Sequence, residues 1–318
     1  MYTLINKFLK KKPTSLSLKH FNIYYKNNKE HNMIIQSNFL RKELPIRFSH
    51  SINILNNLPN EFKEYNDIKS INHLYLNSLN NILNANEITN KKELNNFFNC
   101  ICDIKQKKYN IEHIISTSIL NYNKITKKFN NDINNFFLLR ISIRSLINQH
   151  INIFSLNYTD VKESNINDIL NNICNEVNGM CNFYYNKKID FRIRGDENME
   201  LLYLYSYLYY ILIEIIKNSA VSHLINNIDK PININFFSGE EDIIIKISDN
   251  GLGFTRSNLK DVLKYSYSTY NEDKITDEYE ILDIPVMTGF GFGLPLSKLY
   301  CEYLGGNMHI NPIDGVGT

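Results

Sequence analysis

The stretch that decides the fold is Ile243-Ile244-Ile245-Lys246-Ile247-Ser248-Asp249-Asn250-Gly251-Leu252-Gly253. Its isoleucine-rich half reads as a β-strand, and its second half reads D-x-G-x-G, where glycine lets the backbone turn tightly. In that turn Asp249 points back and can accept a hydrogen bond from a ligand amine. Upstream, Ile232-Asn233-Ile234-Asn235-Phe236 is a second strand and Ile189-Asp190-Phe191-Arg192-Ile193-Arg194 alternates as a third, while Ile166–Cys181 and Met199–Asn226 read as helices. Downstream, Gly289-Phe290-Gly291-Phe292-Gly293-Leu294-Pro295 leads into a helix running to Leu304, with Pro295 expected in its first position. A glycine-rich backbone at a helix N-terminus presents amide donors suited to phosphate oxygens. Gly315-Val316-Gly317-Thr318 is a further tight turn carrying a hydroxyl. Ten of the twelve glycines lie after residue 238, so this half is where backbone bends sharply or approaches a ligand. Strands interleaved with helices make it an α+β domain.

On the predicted helix before these strands, Glu214, Lys217 and Asn218 stand at i, i+3 and i+4 and share a face. Glu214 sits among Ile and Leu neighbours, where a carboxylate resists ionisation and becomes a proton acceptor; Asn218 offers an amide oxygen to a hard cation. On its own E-x-x-K-N is equally well explained by an exposed ion-pairing face. Neither a Walker A sequence nor the HRD and DFG motifs of ordinary protein kinases occurs.

The remaining sequence frames this domain. With 318 residues, 43 % hydrophobic and 21 % charged, the chain is long enough for two domains with real cores, which excludes a disordered tail or a disulfide-stapled miniprotein. A net charge of +2 argues against coating nucleic acid. Five cysteines without CxxC spacing read as free thiols. No apolar run reaches the length of a membrane span, and the stretch Leu201–Ile216 reads as a buried helix. Asn is in excess, about 50 residues in all, which reads as compositional drift without a mechanism. The first 29 residues hold seven Lys and no acid, as organellar transit segments do. From about residue 33 to 158, helical spacing repeats in four segments, such as Ile34-Ile35-Phe39-Leu40 and Leu146-Ile147-His150-Ile151-Phe154, and predicts a four-helix bundle in which Pro45 kinks or starts the first helix. His113 and His150 read there as packed or solvated side chains.

Taken in order, E-x-x-K-N, D-x-G-x-G, G-x-G-x-G-L-P and G-x-G-T resemble the N, G1, G2 and G3 boxes of the Bergerat-type ATPase fold shared by histidine kinases, Hsp90, gyrase B and MutL. The upstream segments Phe39-Leu40-Arg41-Lys42-Glu43-Leu44-Pro45-Ile46-Arg47 and Arg140-Ile141-Ser142-Ile143-Arg144, with Asn148-Gln149-His150, resemble the helical domain of the mitochondrial protein kinases of pyruvate dehydrogenase and of branched-chain 2-oxo acid dehydrogenase. The resemblance runs from about Ser15 to Thr318. It implies a transit segment over 1–12, a regulatory and lipoyl-docking bundle over 13–160, and an ATP-binding kinase domain with a mixed sheet over 161–318. It further implies a protein-serine kinase of the mitochondrial matrix that phosphorylates and inactivates the E1α subunit of a 2-oxo acid dehydrogenase complex. The expected partners are E1α and the lipoyl domain of the E2 core, with a homodimer; the cofactors are ATP and Mg²⁺, with K⁺ as a further ion.

By this resemblance Glu214 is the general base, Asn218 ligates Mg²⁺ beside Lys217, and Asp249 binds the adenine amino group within the turn of Gly251 and Gly253. Gly289, Phe290, Gly291, Phe292, Gly293 and Leu294 cradle the phosphates, Ser268, Thr269 and Thr318 add nucleotide contacts, and Phe254–Thr288 forms an ATP lid. The chain departs from the pattern at three places. Tyr210, one turn before Glu214, matches the branched-chain type, whereas Asn148-Gln149-His150 leans to the pyruvate type. Lys108-Tyr109 stands where the pyruvate type has a His pair. The family pattern also continues beyond Thr318, which reads as truncation. Two other readings stay open: an ATP-binding module without catalysis, and a sensor-type histidine kinase.

Overall fold

The computed structural model describes residues 2–23, 29–107, 111–122, 124–156, 158–240, 242–265, 267 and 291–318. The chain divides into two compact units, one built on Met1–Val161 and the other on Lys162–Glu302 with Gly306–Thr318.

The first unit is helical: α1 (Tyr2–Leu9), α2 (Leu18–Ile23), α3 (Lys29–Asn57), α4 (Asn60–Lys63), α5 (Asn66–Leu83), α6 (Lys91–Gln106), α7 (Ile111–Leu120) and α8 (Lys127–Ile151), the last continued by a π-helical turn over Asn152–Leu156. The four long helices α3, α5, α6 and α8 pack on one another as a bundle. Helix α3 lies at its centre. Leu40, Leu44, Phe48, Ile52 and Leu55 are buried along one seam, and Ser37, Glu43, Arg47, Ser49 and Ser51 are buried as well, as expected of a helix covered on most sides. Pro45 stands inside α3, which runs unbroken from Lys29 to Asn57, so it neither starts nor ends the helix. The buried charges are paired. Glu43 accepts from Arg47 Nε at 2.9 Å and from the backbone N–H and hydroxyl of Thr14 at 2.8 Å each, which fastens the segment before α2 to α3. Arg140 donates twice to Glu112, at 2.7 and 2.5 Å, and Arg144 adds a third bond at 2.7 Å. Burial alone pushes the Glu112 carboxyl up, but the two guanidiniums outweigh it and hold it below the usual range.

The second unit contains β1 (Val161–Asn165), α9 (Ile166–Tyr185), β2 (Phe191–Arg194), β3 (Glu200–Leu204), α10 (Tyr205–Ile225), β4 (Ile232–Ser238), β5 (Ile243–Ser248), a 3-10 turn at Arg256–Lys260, and α11 (Gly293–Tyr303). Strands β1 and β3 pair with each other; a second, mixed sheet has the order β2-β4-β5, with β2 parallel and β5 antiparallel to β4. One face of that sheet, Ile232, Ile234 and Phe236, packs into a core with Leu170, Ile173 and Val177 of α9 and Ile216 and Ala220 of α10. A helical bundle followed along the chain by this α+β unit is the fold expected from the sequence. One element differs. The helix expected over Met199–Asn226 begins only at Tyr205, because Glu200–Leu204 is a strand whose exposure alternates along the chain. Leucine favours helix as an isolated residue, but pairing with β1 overrides that preference. Strand β1, Val161-Lys162-Glu163-Ser164-Asn165, is polar and carries no apolar alternation that could have announced it.

Helix α10 is long and apolar enough to cross a membrane by length and composition, yet 56 % of that window is buried inside the unit. Its apolarity is that of a core helix.

Candidate functional site

Helix α10 supplies one wall of the site. Glu214 and Lys217, one turn apart, form an ion pair of 2.7 Å with side chains only 15 % and 11 % exposed. The carboxylate is therefore not isolated among apolar groups as the sequence suggested; its own helix provides a counter-ion. Asn218 follows on the same face and is exposed to solvent. Tyr210 precedes Glu214 by one turn, and its ring lies 4.9 Å from that of Tyr300 on α11.

The end of β5 and the turn after it form the second wall. Asp249 Oδ1 accepts from the backbone N–H of Gly251 at 2.8 Å and of Thr318 at 3.3 Å, and Oδ2 accepts from the Ser219 hydroxyl at 3.3 Å. The Asp249 N–H in turn donates to the Thr318 carbonyl at 3.0 Å. Three donors from three segments thus fix the carboxylate's orientation. Gly251 lies so close to Ser222 Oγ that a Cβ would collide with it, and Gly253, at φ +60°, leaves no room for a Cβ beside the Ile313 carbonyl. Gly317 packs against the Asp249 carbonyl in the same way. The first and last glycine motifs, separated by some sixty residues, are one interlocked backbone structure. Gly315 N–H completes it by donating to the Leu252 carbonyl at 2.7 Å. Next to Asp249, the Asn250 N–H donates to Nε2 of His223 at 2.9 Å, so that nitrogen carries a lone pair and the proton sits on Nδ1. Burial lowers the pKa of His223, in keeping with a neutral ring.

The start of α11 closes the site. Gly293 is its first residue and Pro295 its third, so Pro295 lies within the first turn, where a backbone N–H would have no helical partner. A Cβ on Gly293 would stand 2.5 Å from Glu214 Oε2, which places the helix N-terminus directly against the carboxylate. Gly291 has φ +72°, and Phe292 is buried with its ring 4.9 Å from that of Tyr265. Leu294 follows, half-buried.

Among the predicted site residues, Glu214, Lys217, Asn218, Asp249, Gly251, Gly253, Gly291, Phe292, Gly293, Leu294 and Thr318 fall on these three walls. Ser268, Thr269, Gly289, Phe290 and most of the expected lid lie outside the described residues, as does Lys108-Tyr109. Sequence reasoning missed Ser219, the donor to Asp249. Nothing marks it before the fold is known, because a small hydroxyl residue on a helix is unremarkable until the partner loop is placed. The described residues contain no group of three His, Cys, Asp or Glu able to hold a metal. A Mg²⁺ ion fits here only as one bound mainly by phosphate and water oxygens with one amide oxygen added, the mode usual for nucleotide-bound Mg²⁺.

Comparison with known proteins bears on both units. Residues 15–171 match the family model described as mitochondrial branched-chain alpha-ketoacid dehydrogenase kinase, and residues 205–318 match the histidine kinase-, DNA gyrase B- and HSP90-like ATPase. A mitochondrial [pyruvate dehydrogenase (acetyl-transferring)] kinase of Arabidopsis thaliana is 30 % identical, covering 96 % of this chain and 89 % of the relative. The human mitochondrial isozyme 4 of that kinase is 26 % identical over 88 % of this chain and 74 % of its own length. The Schizosaccharomyces pombe enzyme is 31 % identical over 70 % of this chain and 57 % of its own length. A helical unit of one type joined to an ATPase unit of the other, with relatives aligned across both, makes this chain a member of the mitochondrial dehydrogenase kinase family, protein kinases that take their phosphate from ATP.

Proposed function

We propose that the protein is a protein-serine kinase of the mitochondrial matrix that transfers the γ-phosphoryl group of Mg-ATP to the E1α subunit of a 2-oxo acid dehydrogenase complex and thereby inactivates it. The observation that carries this reading is the contact of Gly293 with Glu214: it puts a phosphate-binding helix N-terminus and a candidate base side by side.

In the proposed mechanism, Asp249 accepts a hydrogen bond from the adenine amino group, its orientation set by Ser219, Gly251 and Thr318. The amides of Gly291, Phe292, Gly293 and Leu294 bind phosphate oxygens at the positive end of α11. Ser268 and Thr269 add nucleotide contacts. Lys217 exchanges its bond to Glu214 for one to a phosphate, which releases the carboxylate to take the proton of the substrate serine. Asn218 would hold Mg²⁺ by its amide oxygen, and the ion would supply charge screening at the phosphates; K⁺ is a further ion to vary in the assay. Phosphoryl transfer asks the protein mainly for positioning and charge neutralisation, and this set supplies both.

The E2 lipoyl domain is the partner proposed for the helical unit, on the ground that residues 15–171 match the dehydrogenase kinase family model. A homodimer is proposed through the mixed sheet, whose outer face exposes Phe237 and Ile244 side by side.

The test is labelling of purified E1 of the pyruvate and branched-chain types by protein and Mg-ATP, with and without the lipoyl-bearing core. Serine labelling is expected; the similarity to pyruvate dehydrogenase kinases favours the pyruvate type and Tyr210 the branched-chain type. Glu214→Gln is expected to lower transfer at least ~100-fold, the scale of a lost general base, with ATP still bound. Nucleotide binding without transfer to either E1 overturns the kinase assignment, and unchanged transfer by Glu214→Gln removes that residue from the base role.

A further inference from the structure

Helices α10 and α11 touch at two points that stand seven residues apart on both. At one, Gly293 of α11 meets the carboxylate of Glu214 on α10, with a gap that would leave a Cβ only 2.5 Å from Oε2. At the other, the ring of Tyr300 on α11 lies 4.5 Å from Tyr207, at an interplanar angle of 68°, and 4.9 Å from Tyr210. From 293 to 300 along α11 the facing residue on α10 changes from 214 to 207, so the helices run antiparallel. Seven residues make about two turns and about 10 Å in an α-helix, so each pair of contact residues shares a face and the two spans match. One contact demands the smallest residue and the other holds three aromatic rings. Tyr207 and Tyr300 are 5 % and 7 % exposed, so this aromatic contact is part of the packed interior.

We infer that Tyr300, wedged against Tyr207 and Tyr210, is a positioning residue that sets the angle at which α11 aims its N-terminal amides past Glu214. The inference rests on the proposed role of those amides in holding phosphate. Close contact at Gly293 acts as a pivot, because nothing larger separates the helices there. The ring stack two turns away fixes rotation about that pivot. Small tilts matter because a backbone cradle binds phosphate through several donors of fixed direction at once, and all are misaligned together when the helix turns. The pocket around Asp249 is built from β5, α10 and the turn before Thr318, so it does not share this dependence.

The readout is therefore a split between two ligands measured by calorimetric titration on the full chain. Tyr300→Leu is expected to weaken ATP about tenfold while adenosine, which has no phosphates, binds as before; Tyr300→Phe, which keeps the ring, is expected to leave both within twofold. Equal loss of ATP and adenosine, or no loss of either, in a Tyr300→Leu protein with an unchanged circular dichroism spectrum overturns the proposal. If that variant fails to fold, Tyr207→Leu removes the facing ring and is read by the same split. Failure of the kinase reading is seen separately, as an E1 that is not labelled by the unaltered protein, and leaves the ATP-to-adenosine split untouched.

Discussion

At the scale of single residues, the glycines of the site differ in why they are glycines. Gly253 sits at φ +60° against the Ile313 carbonyl, whereas Gly315 sits at φ +73° with nothing within 4 Å of a Cβ. Alanine at 315 meets only the conformational cost, about 1 kcal/mol, while alanine at 253 must also push two backbone segments apart. Urea unfolding is expected to show Gly253→Ala less stable than Gly315→Ala by ~1–3 kcal/mol, with ATP binding lost only in the former. A second residue-scale expectation concerns His150. It is buried beside Phe97, Phe98 and Phe154, with Nδ1 3.3 Å from Gln36 Oε1, and burial lowers its pKa to about 4. The folded state then resists a proton that the unfolded chain accepts near its ordinary value of about 6.5. Stability from this group is complete above that value and is lost as pH falls towards 4, by about 3 kcal/mol in all. In His150→Gln this part of the acid sensitivity disappears, so its stability deficit relative to the unaltered protein narrows between pH 7 and 4.5 in denaturant titrations.

At the scale of elements, the excess of asparagine acquires a meaning that composition did not show. Asn178 on α9 grips the entry to β2 by both of its amide groups, accepting from Ile189 N–H at 2.8 Å and donating to Ile189 C=O at 3.1 Å. Asn38 on α3 holds Ile88 in the same two-handed manner, at 3.1 and 2.7 Å. Asn90 and Asn165 cap α6 and α9, and Asn186 and Asn227 take left-handed conformations just past α9 and α10. Asparagine serves in each place because one short side chain carries both a donor and an acceptor and tolerates positive φ. Asn178→Ala is expected to destabilise the second unit by ~2–4 kcal/mol through two stranded backbone groups, and Asn178→Asp, which keeps the acceptor, by about half of that. Thermal unfolding followed by circular dichroism checks the order. Other elements were legible in advance: β4, β5, α9 and the body of α10 follow from apolar spacing. Strands β1 and β3 were not, since their pairing joins a polar segment to a leucine-rich one and neither pattern favours a strand alone.

At the scale of the whole molecule, each unit has its own core, and the nucleotide contacts proposed above all belong to the second. Mg-ATP at about 100 times its dissociation constant should stabilise that unit by about 2.7 kcal/mol. Hydrogen exchange on the full chain should accordingly slow in α10, in the turn after β5 and in α11, and remain as before in α3, α5 and α8. Uniform slowing across both units, or none, would contradict a nucleotide site confined to the second.

The sequence by itself determined the class of each half, the order of the glycine motifs and the identity of the charged residues, because these depend on spacing along one helix or one strand and on backbone freedom at single glycines. Only the tertiary structure decided which of these meet. The donors that Ser219 and Thr318 bring to Asp249, the interlock of Gly253 with Ile313 and the seating of Gly293 on Glu214 all arise where segments distant in the chain are brought within bonding distance. Such contacts depend on how two surfaces pack, and no periodicity along either segment records that.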